Sequence, residues 1–440
     1  SSIPYRVAYT QDMIEETFPD RNKEILVNSP SESGKEQLTE AQIPNNSKEL
    51  LLNYESENKK KPSTENIISN ANKDVFINVN KNINEAMEEN NNPKKYIRET
   101  IKNSDKTSFK SNEILVKYKN ENTKETLKNN ATKNLNLNKL TTKKQFVKLQ
   151  IDLLEIDKNA SIDSVIAELQ KDPDIEYAQP NYVVSVLNNV YLDSNQDLLA
   201  LYEIGQVVEG QECISGTAID VLSAWKLTKG SPGMLVAVLD TGIDINHQEL
   251  VNNIFVNQAE IPGDGIDNDY NGYIDDVKGW DFANHDNTIY DTADEFHGTH
   301  ISGIIAATEN GSGVCGVAPG VKILPIKFIN GSIGYTSDAI EAIEYAESMG
   351  ARIINCSWGG SENNTALKDA VVQSNMVFVC AAGNDDSADP VYPAAFDLPN
   401  VISVGAVNQS GQKASFSNYG AYVDLAAPGI SIISTTPQDN

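Results

Sequence analysis

From Gly216 onward, apolar runs without polar alternation recur along the chain: MLVAVLD (234–240), VKILPIKFI (321–329), ARIINCSW (351–358), MVFVCAAG (376–383) and VISVGAV (401–407). A strand reads this way when both of its faces are covered. Between the runs lie helical patterns. In SDAIEAIEYAESMG, Ile340, Ile343, Tyr345, Ala346 and Met349 fall on one face, and Gly350 suits the terminating position. Strand and helix in alternation imply an α/β fold, a doubly wound, mostly parallel sheet. In that architecture a functional site belongs at the carboxyl ends of the strands.

The whole chain, at 440 residues, exceeds what one hydrophobic core organises. Residues 1–110 are rich in Asn, Lys, Glu and Ser and read as a low-complexity, disordered leader. Residues 111–187 change character. EILVKYK (113–119), QFVKLQIDLLEI (145–156) and IEYAQPNYVVSVL (175–187) read as strands, and SIDSVIAELQKD (161–172) as a helix capped by Ser161 and stopped before Pro173. A small α+β domain is expected there, followed by a large domain over 188–440.

Charge separates these parts. Residues 1–187 carry 29 Asp and Glu against 27 Lys and Arg, while residues 188–440 carry 33 against 8. An acidic surface of this kind argues against nucleic acid as a partner, because a phosphate backbone needs clustered Lys and Arg. It leaves carboxylates free for cations. Four cysteines (Cys213, Cys315, Cys356, Cys380) are too few for a disulfide-built scaffold, and core packing is expected of them. No run is apolar and long enough for a membrane span. The first residues lack a basic stretch followed by an apolar one, so any signal peptide is expected to have been removed from this numbering.

Three strand ends carry unusual polar residues: Asp240 in VAVLDTGID, His297 in DEFHGTHISGIIAA and Asn384 in VFVCAAGND. A carboxylate directly after a buried strand is costly unless something pairs with it. An imidazole in a turn opening a helix suits proton transfer, and an amide after small residues can donate to a developing oxyanion. Each residue taken alone is equally readable as a turn or cap residue.

Together these segments resemble the subtilase family of serine proteases. DTGID, HGTHISGIIAA, GVAPGVKILPIK, INCSWGG, AAGND and AYVDLAAPGI stand in the family's order over about 218–436. The resemblance implies that Asp240 orients His297, that His297 is general base and then acid, and that Asn384 is the oxyanion donor. It also implies that Ser357, Trp358 and Gly359 form a strand that pairs with substrate backbone. Trp358, at a place often held by Leu, either narrows a pocket or packs. Asp385 and Asp386 fall near the pocket rim, where basic side chains would be tolerated. The family's nucleophile lies in a GTSxA segment that follows the Ala427, Pro428, Gly429 turn, and no such segment occurs in these 440 residues. Ser415 and Ser417 match a different segment. The expectation is a chain cut before its nucleophile and inactive by itself. A non-catalytic binding relative and a calcium-stabilised surface module are the alternatives.

Calcium is the expected cofactor. GDGIDNDYNGYIDD (263–276) sets Asp267, Asp269 and Asn271 at alternating positions, with Gly272 for a sharp turn and Asp275 beyond, as in the first half of an EF-hand loop. Lys278 stands where that loop would close with Glu, so a subtilase-type insertion is expected instead. The resemblance implies a second site at Glu249 and Asn310. It further identifies the α+β unit as an inhibitory, ferredoxin-like prodomain, an intramolecular partner whose tail near Tyr182 to Leu187 lies along the substrate cleft. Cleavage is expected between Leu187 and Leu198. Protein or peptide substrates, secretion and a monomeric state complete the expectation.

Overall fold

The computed structural model describes residues 109–135, 137, 140–187, 219, 221–292, 295–408, 411–430 and 432–437. The leader up to residue 108, Cys213 and the segment expected to be cleaved lie outside the described residues.

The N-terminal unit runs β1 (Phe109–Tyr118), α1 (Lys124–Asn134), β2 (Leu140–Phe146), β3 (Ile151–Ile156), α2 (Ile162–Leu169) and β4 (Ile175–Val186). Its antiparallel sheet has the order β4-β1-β3-β2, the split βαβ arrangement of ferredoxin-like folds. Both faces of β1 are buried over Ile114–Val116, which explains its unbroken apolar run. Ile114 and Val116 face the unit's own helices together with Val165 and Leu169. Leu115, Leu153 and Ile151 point the other way and join the core of the larger unit. The Ser161 hydroxyl accepts the Ser164 N–H at 3.4 Å, capping α2 as its sequence predicts.

The segment 145–156, read from sequence as one strand, is a hairpin. β2 ends at Phe146, and residues 147–150 turn with Gln150 at φ 58° before β3 begins. Apolar residues on both sides of the turn hide it, because Leu149 is buried within it.

The larger unit continues with α3 (Val221–Trp225), β5 (Leu235–Asp240), β6 (Trp280–Asp281), α4 (Phe296–Ala306), β7 (Lys322–Lys327), β8 (Ile333–Tyr335), α5 (Thr336–Ser348), β9 (Ile353–Cys356), β10 (Trp358–Gly359), α6 (Thr365–Gln373), β11 (Val377–Ala381), β12 (Val401–Val407) and β13 (Leu425–Pro428). Its sheet is parallel throughout, in the order β13-β12-β11-β9-β5-β7-β6. Strands to one side of β5 precede those on the other side in sequence. The order therefore reverses between β5 and β9, and in open parallel sheets a site belongs at the carboxyl ends beside such a reversal.

ARIINCSW, expected as one strand, divides. β9 stops at Cys356, and after Ser357 the backbone leaves the sheet so that Trp358 and Gly359 pair with Val186 and Ser185 of β4. Among the described residues no helix is long and apolar enough to cross a membrane.

Candidate active site

Asp240 is the last residue of β5, at the point where the strand order reverses. Its side chain is 1 % exposed. The Thr241 N–H donates to Asp240 Oδ1 at 2.7 Å, and His297 Nδ1 lies 2.8 Å from Oδ1 and 2.9 Å from Oδ2. The imidazole N–H therefore donates to the carboxylate, leaving Nε2 as its other proton-transfer atom. His297 is the second residue of α4. The HGTH segment, expected as a turn at a strand end, is therefore already helical, and Gly298 makes this possible: a Cβ there would stand 2.2 Å from the Gly242 carbonyl oxygen and 3.1 Å from Asp240 Cβ. Only glycine lets the helix settle directly on the turn after β5.

Burial pushes the His297 imidazole down, but the charge and hydrogen bond of Asp240 outweigh it and hold the ring above its ordinary value. His300 differs. It donates through Nε2 to the Ile432 carbonyl at 3.1 Å, and burial lowers it. His247 is likewise lowered by burial, and its Nδ1 accepts the Glu249 N–H.

Asn384 stands beyond β11, after Ala382 and a positive-φ Gly383. Its Nδ2 donates to the Leu187 carbonyl at 2.9 Å. The Leu187 N–H in turn donates to the Ser357 carbonyl at 3.1 Å. The end of β4 is thus threaded between two short strands, paired to β8 through Val183, Val184 and Ser185 and to β10 through Ser185 and Val186. Gly359 lets β10 sit close against the 391–392 segment, since a Cβ on it would meet Val391 Cγ1 at 2.5 Å and the Tyr392 carbonyl oxygen at 2.9 Å. Trp358 packs inward, 1 % exposed, with its ring edge-on to Phe328 at 4.9 Å between centroids. Among the described residues its indole N–H has no hydrogen-bond partner.

Asn418 Oδ1 accepts the N–H groups of Asp385 and Ser387, fixing the turn after Asn384. Asp386 pairs with Lys413 at 2.6 Å, so its charge is already engaged. Ser417 is buried and bonded to the backbone at Ala406 and Asn418, while Ser415 is exposed.

In and just before the 263–276 segment the carboxylate oxygens of Glu260, Asp269 and Asp276 lie within 4.8 Å of one another. Of these, sequence reading found only Asp269. Asn257 and Asn271 donate to Asp276, and so does the Tyr345 hydroxyl at 2.8 Å. Burial raises Asp276 above the ordinary carboxylate value in spite of these bonds. Asp267 accepts the N–H groups of Asn271 and Gly272, and Asp275 accepts those of Gly263 and Gly265. Those two shape the loop. The three converging carboxylates, held by neutral donors, have the all-oxygen chemistry that suits a hard divalent cation. Glu249 and Asn310 also meet, the amide donating to Oε2 at 3.0 Å.

Residues 231–440 match the profile of the subtilase family, and residues 96–181 match that of the fervidolysin N-terminal prodomain. A thermophilic serine proteinase of Bacillus sp. (strain AK1) is 37% identical over 296 residues, covering 66% of this chain and 63% of that protein. Thermitase of Thermoactinomyces vulgaris is 37% identical over 224 residues, which is 50% of this chain and 71% of thermitase. In fold, the chain resembles the crystal structure of fervidolysin from Fervidobacterium pennivorans, described as a keratinolytic enzyme related to subtilisin. The TM-score is 0.58 at 23% identity, covering 76% of this chain and 49% of fervidolysin. The chain thus spans less than two thirds of the Bacillus relative and about half of fervidolysin. By the profile match, the likeness to thermitase and the subtilisin-like fold, this chain belongs to the subtilase family of serine peptidases.

Proposed function

We propose that this chain is the prodomain and most of the catalytic domain of a secreted serine endopeptidase. Asp240 holds the His297 tautomer and stabilises the imidazolium, and His297 Nε2 takes the proton of a serine hydroxyl as that oxygen attacks a peptide carbonyl. His297 then returns the proton to the leaving amine. Asn384 donates to the oxyanion, a role whose loss costs about 10²–10³ in rate in subtilisin itself. The strand Ser357 to Gly359 holds substrate backbone by strand addition.

One observation carries this reading. Leu187 donates its N–H to Ser357 and accepts at its carbonyl from Asn384, as the residue before a scissile bond would. The tail of β4 accordingly acts as a substrate-like inhibitor, and the processing bond is Leu187–Asn188. Calcium is the proposed structural ion at Glu260, Asp269 and Asp276, with Asp267, Asn271 and Asp275 shaping the loop and Glu249 with Asn310 as a second candidate site. The ion would tie the insertion to α5 and take no part in proton transfer.

No Gly-Thr-Ser-x-Ala segment occurs in the 440 residues, so no turnover through such a serine is expected of them alone. Produced together with a downstream segment that carries that sequence, the chain is expected to cleave itself and hydrolyse peptides. N-terminal sequencing of the product should then begin at Asn188. Peptide hydrolysis by the 440-residue chain alone, with a fluorophosphonate label on one of its own serines, would overturn the proposal, as would processing at a different bond.

A further inference from the structure

Beneath the Asp240–His297 pair lies a buried cluster that the proton-transfer scheme does not use. Lys327, the last residue of β7, pairs in register with Asp240 across the sheet and is 0% exposed. Its ammonium contacts three carboxylates: Asp281 at the end of β6 (3.3 Å), and Glu295 (2.8 Å) with Asp291 in the segment leading into α4. A lysine is rarely buried to this extent, and only compensation by such partners makes it tolerable.

The geometry gives the cluster a direction. Glu295 is the residue before α4 and two before His297. Its Oε2 accepts the Asp291 N–H at 3.1 Å, and its carbonyl accepts from the Thr241 hydroxyl at 3.4 Å, which also accepts the Gly298 N–H. Gly242 stands against the same group, since a Cβ there would lie 3.2 Å from Glu295 Oε2 and 3.4 Å from Lys327 Cδ. One ammonium therefore joins β7, the end of β6 and the first turn of the helix that delivers the imidazole. Three carboxylates around one cation resemble a metal cradle whose cation is supplied by the chain itself.

We propose that Lys327 is a positioning residue for His297: by holding Glu295 it fixes the start of α4 and thereby the imidazole against Asp240. The catalytic consequence rests on the peptidase reading, but the positional claim does not. Burial acts to lower the Lys327 ammonium, yet its bonds to Asp291 and Glu295 keep it raised, so the cation persists in neutral solution. Burial raises Glu295 and Asp281, with Lys327 opposing it in both.

The test follows the His297 ring by NMR through a pH titration of the 440-residue chain, which needs neither nucleophile nor substrate. Two substitutions are compared. Lys327→Met removes the tether and, by removing a nearby positive charge, would raise the His297 midpoint if charge alone mattered. Positioning predicts a fall of about half a unit or more, as the imidazole drifts from Asp240. Lys327→Arg keeps the charge but replaces a compact ammonium with a planar fork, so Glu295 must shift, and a smaller fall is expected. It also carries the test should the methionine variant fail to fold. A midpoint that stays or rises in a folded variant of either kind would overturn the proposal. In an enzyme form carrying the nucleophile, kcat should fall with KM little changed; the direction of the midpoint shift, not loss of activity, decides the positional claim.

Discussion

At the residue scale, the raised His297 has a direct consequence for pH dependence. Its stabilising interaction with Asp240 is fully present below the ordinary imidazole value of 6.5 and is lost as pH rises through the higher folded value. Replacing Asp240 with Asn removes the charge that offsets burial. The His297 midpoint, followed by NMR, is then expected to fall by roughly 1–3 units, and an unchanged midpoint would refute the coupling. The contact of Asp240 with His297 and the place of Asn384 just beyond β11 are what the sequence led one to expect, since Asp240 and Asn384 each follow an abrupt boundary between apolar run and polar residue. Lys327 was not legible in this way, for it lies inside VKILPIKFI, where a charged residue within an apolar run shows no sign of the three carboxylates that meet it. Glu260 and Asp276 escaped notice for a related reason. Their convergence with Asp269 depends on how the insertion folds back on itself, whereas spacing reveals only neighbours on one turn.

At the element scale, the 256–277 insertion has little apolar burial of its own. Ile261, Ile266, Tyr270 and Ile274 are exposed. It is anchored instead by Tyr273, which packs edge-on against Phe282 and Tyr345, and by the carboxylates around Asp276. Among the described residues these three acids accept hydrogen bonds from neutral groups and lie close enough to repel one another, so an oxygen-seeking cation should stabilise the segment strongly. At calcium well above its dissociation constant, chelation is expected to lower the melting temperature by roughly 5–10 °C. The paired substitution Glu260→Gln with Asp269→Asn should abolish that response, and a melting curve indifferent to calcium would sink the site. Elements were the best-read level of the sequence, since both parallel strands and α2 with its Ser161 cap follow from period and capping residue. Not read from the sequence at all were α1, β6, β8, α6 and β13, and among the elements that were read the exceptions are the hairpin at residues 147–150 and the departure of Trp358 from the sheet. In both, an apolar run continues while the backbone changes direction, and hydropathy does not record direction.

At the scale of the whole molecule, the N-terminal unit meets the larger one through charges of opposite sign and through shared helix caps. Lys117 pairs with Asp369, Lys144 with Glu341 and Lys148 with Glu347. Asn181 Oδ1 accepts the Ser337 N–H at the start of α5, and Gln179 Oε1 accepts the Ala366 N–H at the start of α6. Orphan donors of two helices in one unit are thus satisfied by side chains of the other. Carboxylates at the seam set the pH response, Glu344 among them, raised by burial against the opposing charges of Lys148 and Lys144. Burial acts to raise Glu113, but Lys143, Lys110 and Asn181 prevail and hold it below its ordinary value, so its contribution is lost only as pH falls through that lowered value. Asp338 is pushed up by burial to about 7, so docking favours its protonated form and weakens as pH climbs from the ordinary 3.8 toward 7, changing little beyond. Salt at about 0.5 M should weaken the lysine pairs further by screening their exposed members. Amide exchange at Ser337 and Ala366 reads the docking directly, because both groups are capped from across the interface. Protection of these two amides is expected to decline from mildly acid to neutral solution, beyond the intrinsic pH dependence of exchange, and to decline again with salt. Equal protection under all these conditions would mean that apolar packing of Leu115, Leu153 and Val184 holds the units together without electrostatic help.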